Sequence, residues 1–196
     1  MNRIPLPTLF FSANRLVGHG VETLVRTVGS LKGIFCDAAA FEKLPQDAIA
    51  YEVSSYLPVP EGSIGSLYFG ITRIHPHLAG NEYMMTKGHF HTKSNCAEYY
   101  WGIEGEGVLL TMDTAGKCRA ELCFPGSLHY IDGRLAHRMI NISEQIFSFG
   151  ACWPADAGHD YQTIAETGFS ARILKLNGKP CLVSLNNNKC TQLESI

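Results

Sequence analysis

From Tyr51 onward the chain consists of short stretches in which apolar and polar residues alternate, and Gly, Asn, Asp and Pro separate these stretches. A period of two is typical of strands that bury one face, because successive side chains on a strand point to opposite sides. The pattern predicts strands at Tyr51–Leu57, Gly65–Ile74, Tyr83–His91, Ala97–Ile103, Gly107–Met112, Arg119–Phe124, Leu128–Ile131, His137–Ile142, Gln145–Trp153, Ala171–Leu176 and Cys181–Leu185.

Such a series of strands, with no long amphipathic helix between them, favours an antiparallel β-sandwich or barrel. Short helices are predicted at Val21–Val28, at Ala38–Leu44 before Pro45, and at Asp160–Thr167 before Gly168. We therefore expect a mainly β, single-domain protein with a few short N-terminal helices.

The division that follows from these elements has three parts. Residues 1–50 are expected to form an N-terminal arm with short helices that pack on the barrel, residues 51–176 the barrel itself, and residues 177–196 a peripheral C-terminal tail. The tail is polar and contains Asn186-Asn187-Asn188.

Composition excludes several classes of protein. The net charge is -2 with no basic tract, which argues against nucleic acid as a partner. No apolar run is long enough to cross a bilayer, and Met1–Pro7 lacks the apolar core of a signal peptide. The seven cysteines include no Cys-x-x-Cys pair, which favours free thiols in a reducing compartment. We expect a cytoplasmic protein with no membrane association.

The stretch from Gly88 to Glu98 carries the strongest chemical signal. His89 and His91 are one residue apart, so both imidazoles face the same side of an extended strand. A hairpin return brings Glu98 back beside them, and His137 begins a further predicted strand. Three imidazoles and a carboxylate suit Fe²⁺, Mn²⁺, Ni²⁺ or Zn²⁺ better than Mg²⁺ or Ca²⁺. The sequence predicts a site for one divalent transition metal ion.

Chance is the alternative explanation for a His-x-His pair among eight histidines, and a second pair, His75-Pro76-His77, illustrates it. That pair carries a proline and has no acid at hairpin-return distance, so we expect it at a strand end. Strand parity also places Glu98 and Tyr100 on one face of their strand. Asn141 matches His137 in parity, but we expect it to be a turn or supporting residue.

Two groups of residues resemble the two cupin motifs. The first is Gly88-x-His89-x-His91 with Glu98 seven residues later, and the second is Pro125-Gly126 followed by His137 and Asn141. Narrower similarity lies in Thr86–His91, Ala97–Tyr100, Ala136–Arg138 and Pro154–Tyr161, which resemble the archaeal-type, cupin-type glucose-6-phosphate isomerases. The resemblance extends from about Arg26 to about Leu176.

The resemblance implies a cupin barrel, or double-stranded β-helix, that forms a homodimer and interconverts glucose 6-phosphate and fructose 6-phosphate in glycolysis and gluconeogenesis. It implies one divalent transition metal ion per subunit, with Fe²⁺ as the first choice and Mn²⁺, Ni²⁺ or Zn²⁺ as alternatives. Carried over by position, the metal ligands are His89, His91, Glu98 and His137. The substrate-binding residues are Tyr51, Thr72, Thr86, Gly88 and Tyr100, and the catalytic residues are Glu98, His159 and Tyr161.

Aldose–ketose isomerisation moves one hydrogen between C1 and C2 of the sugar, and three ways of moving it stay open. Glu98 is the first candidate, although a cation beside a carboxylate makes it less basic. His159 and Tyr161 are the second, and a direct hydride shift that needs no base is the third. Two other functions also stay open: an Fe²⁺ cupin dioxygenase, and a cupin that binds a phosphosugar without turnover.

Some features depart from the simple pattern. Strict alternation puts Thr86 on the opposite face from His89, so its implied role requires a bulge or twist near Gly88. Trp153 stands where the resembling family usually has tyrosine, which removes a hydroxyl associated with the substrate phosphate. The run Tyr130–Arg134 differs from the segment that the resembling family usually has there, which changes a loop near His137. Lys87 and Lys93 share parity with the histidines and are candidate phosphate contacts.

Overall fold

The computed structural model describes residues 4–185 and 190–192. The first half of the chain contains β1 (Leu9–Ser12), β2 (Arg15–Gly18), β3 (Val21–Thr27), a 3-10 turn (Val28–Leu31), α1 (Ala38–Glu42), β4 (Ile49–Tyr56), β5 (Leu67–Ile74), β6 (Leu78–Ala79), β7 (Glu82–Tyr83) and β8 (Phe90–His91). The second half contains β9 (Glu98–Glu104), β10 (Gly107–Met112), β11 (Cys118–Cys123), β12 (Leu128–Ile131), β13 (Ala136–Asn141), β14 (Phe147–Pro154), β15 (His159–Asp160), α2 (Tyr161–Thr167), β16 (Ala171–Leu176), β17 (Lys179–Ser184) and β18 (Cys190–Gln192).

Two antiparallel sheets build the barrel. The larger has the order β12-β9-β14-β5-β4-β3, and the smaller has the order β11-β10-β13. Isolated bridges at Met85–Ile140 and His89–His137 attach the segment before β8 to the free side of β13. Buried apolar side chains from both sheets, including Ile74, Met139, Phe147 and Phe149, belong to one core cluster. The predicted mainly β cupin barrel is confirmed.

Alternation along β9 shows how the sequence turns one face inward. Glu98 and Tyr100 are buried, whereas Tyr99 between them is half exposed. On β13 every residue is buried, because both faces of that strand are covered. The outer face carries Arg138, whose guanidinium lies 4.2 Å from the ring centre of Phe169. Because successive side chains alternate along a strand, His137 lies on the opposite face of β13 from Arg138.

The predicted helix at Val21–Val28 is wrong, because these residues form strand β3 and pair antiparallel with β4. Val21, Thr23, Val25 and Thr27 are β-branched residues, which fit a pleated surface better than a helix. The edge of the six-stranded sheet offers this segment its hydrogen-bonding partner. The predicted helix at Ala38–Leu44 is confirmed as α1, and the Asp37 side chain caps it by accepting a hydrogen bond from Ala40 N.

The strand predicted over Tyr83–His91 is interrupted in the structure. Only β7 and β8 are regular within it, and Gly88 between them has a φ of +76°. The helix predicted at Asp160–Thr167 is confirmed, with Asp160 as its cap and Gly168 at its end.

The C-terminal segment adds β17, which pairs with β16. The predicted tail residues Asn186–Asn188, and Met1–Arg3 at the other end, lie outside the described residues. Cys36, Cys96, Cys118, Cys123 and Cys152 carry free thiols. Within the part of the chain that the structure describes, none of the helices combines the length and apolar character needed to cross a bilayer.

Candidate active site

Four side chains predicted as metal ligands come together inside the barrel. His91 lies on β8, Glu98 on β9 and His137 on β13, while His89 forms the bridge to His137 just before β8. One donor atom from each of the four lies within 4.8 Å of the others. The sequence-predicted cluster therefore exists as a single group of donors drawn from three regions of the barrel.

Hydrogen bonds to the backbone orient two of the imidazoles. The Nδ1 of His91 lies 2.5 Å from the Cys96 carbonyl oxygen, and the Nδ1 of His137 lies 3.2 Å from that of Leu135. A carbonyl only accepts, so each Nδ1 carries the proton and each Nε2 presents a lone pair. This is the arrangement by which proteins orient metal-binding histidines.

The donor atoms themselves lack hydrogen-bond partners. The buried side-chain atoms without such a partner include His89 Nε2, His91 Nε2, Glu98 Oε1 and His137 Nε2. Buried polar atoms are almost always satisfied, so four unsatisfied acceptor atoms at one point need an explanation. A divalent cation coordinated by these atoms supplies it, and the chemistry of the set fits Fe²⁺, Mn²⁺, Ni²⁺ or Zn²⁺.

The electrostatics of the cluster favour the cation-binding forms of His89 and Glu98. Burial, with His137 and His159 nearby, holds the pKa of His89 well below its ordinary value, so its imidazole is neutral at pH 7. Burial raises the pKa of Glu98, but His137 and His91 outweigh burial and hold that pKa below its ordinary value. Glu98 Oε1 lies 2.5 Å from His137 Nε2 without hydrogen-bonding geometry. Glu98 is therefore an ionised carboxylate.

A cavity of about 200 Å³ opens beside the cluster, and every second residue of four strands lines it. This is the parity expected for the inner face of a barrel. The lining side chains include Tyr51, Val53 and Ser55 of β4, Thr72 of β5, Glu98 and Tyr100 of β9, and Phe149, Ala151 and Trp153 of β14, with Leu24, Leu57, Thr86, Lys87, His89, His159 and Tyr161 from other segments. We call this space the active-site cavity.

Thr86 lines this cavity together with His89, although strict alternation predicted opposite faces. The reason is Gly88, whose φ of +76° reverses the chain between the two residues. A Cβ on Gly88 would lie 2.9 Å from both Arg138 Nε and Phe169 Cε2, so only glycine fits. Thr86 Oγ1 accepts a hydrogen bond from Met139 N, which leaves the hydroxyl hydrogen available to a ligand.

His159 and Tyr161 stand beside the metal cluster. The ring centre of His89 lies 4.4 Å from that of His159 and 5.2 Å from that of Tyr161. The pairing of β15 with β8, in which His159 faces His91, holds this geometry. Burial lowers the pKa of His159 and raises that of Tyr161, so a neutral imidazole and a protonated hydroxyl face the cavity at pH 7.

Tyr51 and Tyr100 are two further predicted substrate contacts, and both are buried. Burial and then the charge of Glu98 raise the pKa of Tyr100. Burial raises the pKa of Tyr51 to about 12. Both phenols are therefore hydrogen-bond donors rather than phenolates.

The two lysines predicted as phosphate contacts have different positions. Lys87 lines the active-site cavity, whereas Lys93 is paired with Asp156 at 2.9 Å and is not among the lining residues. Trp153 does line the cavity, with its ring centre 5.8 Å from that of Tyr68 and 6.5 Å from that of His159.

The sequence interpretation missed several lining residues, among them Val53, Ser55, Phe149 and Ala151. The sequence contained the signal, because each of these residues lies an even number of positions from Tyr51 or Trp153 on the same strand and so shares its face. What was absent was the pairing of β14 between β9 and β5, which brings Phe149 and Ala151 beside Tyr100 and Thr72. Strand order is a long-range property that the alternation along one strand does not encode.

Comparison with known proteins identifies the family. The family model of glucose-6-phosphate isomerase matches residues 25–190. The glucose-6-phosphate isomerase of Thermococcus litoralis is 42% identical over 157 residues, which cover 79% of this chain and 82% of the relative. That of Pyrococcus abyssi is 40% identical over 162 residues, which cover 82% of this chain and 85% of the relative. A putative glucose-6-phosphate isomerase 2 of Rhizobium meliloti is 34% identical over 170 residues, covering 85% and 84%. With four potential metal ligands together inside a cupin barrel and this similarity over most of its length, the chain belongs to the glucose-6-phosphate isomerase family.

Proposed function

We propose that this protein is a metal-dependent aldose–ketose isomerase that interconverts glucose 6-phosphate and fructose 6-phosphate. The observation that carries the proposal is the cluster of four donor atoms, two of whose residues, His89 and Glu98, line the active-site cavity, in a chain of this family. We expect the enzyme to work in the cytoplasm, in glycolysis and gluconeogenesis.

We assign the metal ligands as His89, His91, Glu98 and His137, with one ion per subunit. Fe²⁺ is the first choice, because three imidazoles and a carboxylate suit it, and Mn²⁺, Ni²⁺ and Zn²⁺ are the alternatives. When bound, the ion would supply a Lewis acid beside the oxygens of the sugar.

The phosphosugar would lie in the active-site cavity. The hydroxyls of Thr72 and Thr86 and the backbone amide of Gly88 are suitable phosphate contacts, since hydroxyl and amide groups bind anions without many cations. The phenol hydroxyls of Tyr51 and Tyr100 would bind sugar oxygens as donors.

Glu98 is the first choice for the group that moves the proton between C1 and C2, because its buried carboxylate is ionised. A positioned base typically adds ~10²–10⁴ in rate. His159 is the alternative, since its neutral imidazole faces the same cavity, and Tyr161 would then donate to the substrate oxygen. Turnover in deuterated water distinguishes proton transfer by Glu98 or His159 from a direct hydride shift. A transferred proton exchanges with solvent and leaves deuterium at C1 or C2 of the product, whereas a hydride shift leaves none.

The decisive test is a coupled assay on protein stripped with EDTA and reconstituted with each metal in turn. We expect no turnover of fructose 6-phosphate without metal and restored turnover with at least one of the four ions. Absence of activity with every ion would contradict the proposal. Glucose and mannose 6-phosphates test the sugar preference, and an oxygen electrode with the Fe²⁺ protein tests the dioxygenase alternative. Binding of fructose 6-phosphate without turnover would favour the non-catalytic alternative.

We also propose that the enzyme is a homodimer. Leu128 and Tyr130 on the edge strand β12 are 67% and 60% exposed, and the Tyr130 ring packs 5.5 Å from that of the half-exposed Tyr99. An exposed apolar group on an unpaired strand edge invites association with a second copy. Sedimentation equilibrium would test this: the wild-type chain should sediment as a dimer and Leu128→Glu should shift it toward monomer.

A further inference from the structure

A second cavity, of about 210 Å³, lies next to the active-site cavity. Lys87, Gly88 and Tyr161 line both, and the remaining residues belong to the second cavity alone. They come from the 3-10 turn and the loop after it, from β13, from α2 and the residues that follow it, and from β16. We call this space the basic cavity and define it by Lys32, Lys87, Arg138, Ala165, Phe169 and Arg172.

Positive charge distinguishes the basic cavity. Four cationic side chains line it, and no carboxylate is among the lining residues. Two of the four have acidic partners, since Arg172 pairs with Glu82 at 2.7 Å and Lys32 pairs with Glu42 at the surface. The other two, Lys87 and Arg138, form no ion pair within the described residues. The cavity therefore has an excess of positive charge.

Arg138 is the most unusual of these residues, because its side chain is only 4% exposed. One terminal nitrogen donates to the Lys87 carbonyl oxygen at 2.7 Å and the other to the Met85 sulfur at 3.0 Å. The Nε atoms of Arg138 and Arg172 are buried and have no hydrogen-bond partner. A guanidinium has five N–H donors, and a buried charge without a counterion is costly. Glu82, the acid whose charge acts on Arg138, pairs with Arg172 instead, so Arg138 has no carboxylate partner of its own and one N–H without an acceptor.

We propose that the basic cavity is a second binding site, next to the substrate site, for a small anion that carries a phosphate group. A phosphate offers several acceptor oxygens and about two negative charges, which match guanidinium and ammonium donors better than a carboxylate does. The phosphate is free or is part of a small monoester. The rival explanation is that Arg138 only supports the fold through Phe169 and the Lys87 carbonyl.

Amide NMR spectra of the zinc-loaded protein locate the bound anion directly. Inorganic phosphate is the first probe and glycerol 3-phosphate the second, which separates free phosphate from a monoester. We expect saturable shifts at Gly33 and Gly168, which line the basic cavity, with a midpoint different from that of Gly70 in the active-site cavity. The spectra do not depend on turnover, so this test can fail while the isomerase proposal stands.

A matched pair of variants tests the charge. Ala165 lines the basic cavity on the exposed side of α2, so Ala165→Glu places a carboxylate there without disturbing the core. We expect phosphate binding at Gly33 and Gly168 to weaken by about tenfold or more, because like charges repel. Ala165→Gln has nearly the same shape without the charge and should bind as the wild type does, and binding near Gly70 should not change in either variant.

Three results would overturn the proposal. One is the absence of saturable shifts at Gly33 and Gly168 with both phosphate probes. Another is equal phosphate affinity in Ala165→Glu and Ala165→Gln. The third is equal binding of acetate and phosphate, which would show that the site does not select for a phosphate group.

Discussion

The active-site cavity and the basic cavity lie on either side of Gly88 and have opposite chemical needs. Beside the first, the unpartnered buried atoms carry the lone pairs of His89, His91, Glu98 and His137. In the second they are N–H donors of Arg138 and Arg172. Buried polar atoms without partners are rare, and their type indicates what is missing. The first cavity lacks a cation and the second lacks an anion.

Glu98→Gln is the change with the largest expected effect, and it acts on the first cavity alone. The amide keeps the shape of the side chain but cannot accept the substrate proton, so we expect turnover to fall by ~10²–10⁴. Some metal should also be lost, because an amide oxygen is a weaker ligand than a carboxylate. Steady-state kinetics and metal analysis measure the two effects.

Glu104→Gln is the control for this charge change on the same strand. Glu104 accepts a hydrogen bond from Asn14 and does not line the active-site cavity. It should retain full activity and metal. Intact turnover in Glu98→Gln would remove Glu98 from the mechanism and leave His159, Tyr161 or a hydride shift.

Gly88→Ala should disturb both cavities at once, because Gly88 lines each of them. Gly62 is a suitable control, since it also has positive φ and a Cβ there would meet no atom within 4 Å. Both variants should lose about 1–2 kcal/mol of unfolding free energy from backbone strain. Gly88→Ala should lose a further ~1–3 kcal/mol, because its Cβ would press on Arg138 and Phe169. Urea unfolding measures the difference, and equal losses would show that the contacts at Gly88 yield freely.

Gly133→Ala should lower the affinity for the metal ion while leaving the basic cavity unchanged. A Cβ at Gly133 would lie 2.3 Å from the Cys96 carbonyl oxygen, which accepts the hydrogen bond from His91 Nδ1. Displacing a group that orients a ligand typically costs ~10–100-fold in metal affinity. Competition with a chelator measures this affinity, and phosphate binding in the basic cavity should be unchanged.

Arg134→Ala is the control from the same loop. The Arg134 side chain is exposed and pairs with Asp132, so its loss changes the loop without touching the Cys96 carbonyl. Metal affinity should stay at the wild-type value. A folded Gly133→Ala protein with unchanged metal affinity would mean that the Cys96 carbonyl is not what orients His91.

The metal cluster and the basic cavity also differ in how far the sequence predicted them. The alternation of side chains along a strand predicted that His89 and His91 share one face, and a hairpin return predicted Glu98 beside them. Both relations are local in sequence. The helix predicted at Val21–Val28 failed because the free edge of β4 selects a strand there. In the sequence, Arg138 stands out only as the residue after His137. Its cavity depends on contacts among segments that are far apart in sequence, such as Arg138 with Phe169, and no local pattern signals them.

Trp153→Tyr should have the smallest effect, and it tests whether a hydroxyl at this position of the active-site cavity strengthens binding of the substrate phosphate. Trp153 lines this cavity at the position where the resemblance to the family implies a tyrosine, and it brings no hydroxyl there. One added hydrogen bond is worth about 0.5–1.5 kcal/mol, so we expect KM for fructose 6-phosphate to fall by roughly 2–10-fold. Trp153→Phe removes nearly the same volume without adding the hydroxyl and should not lower KM. If the tyrosine and phenylalanine variants have the same KM, the hydroxyl does not reach the phosphate and cavity volume alone sets affinity at this position.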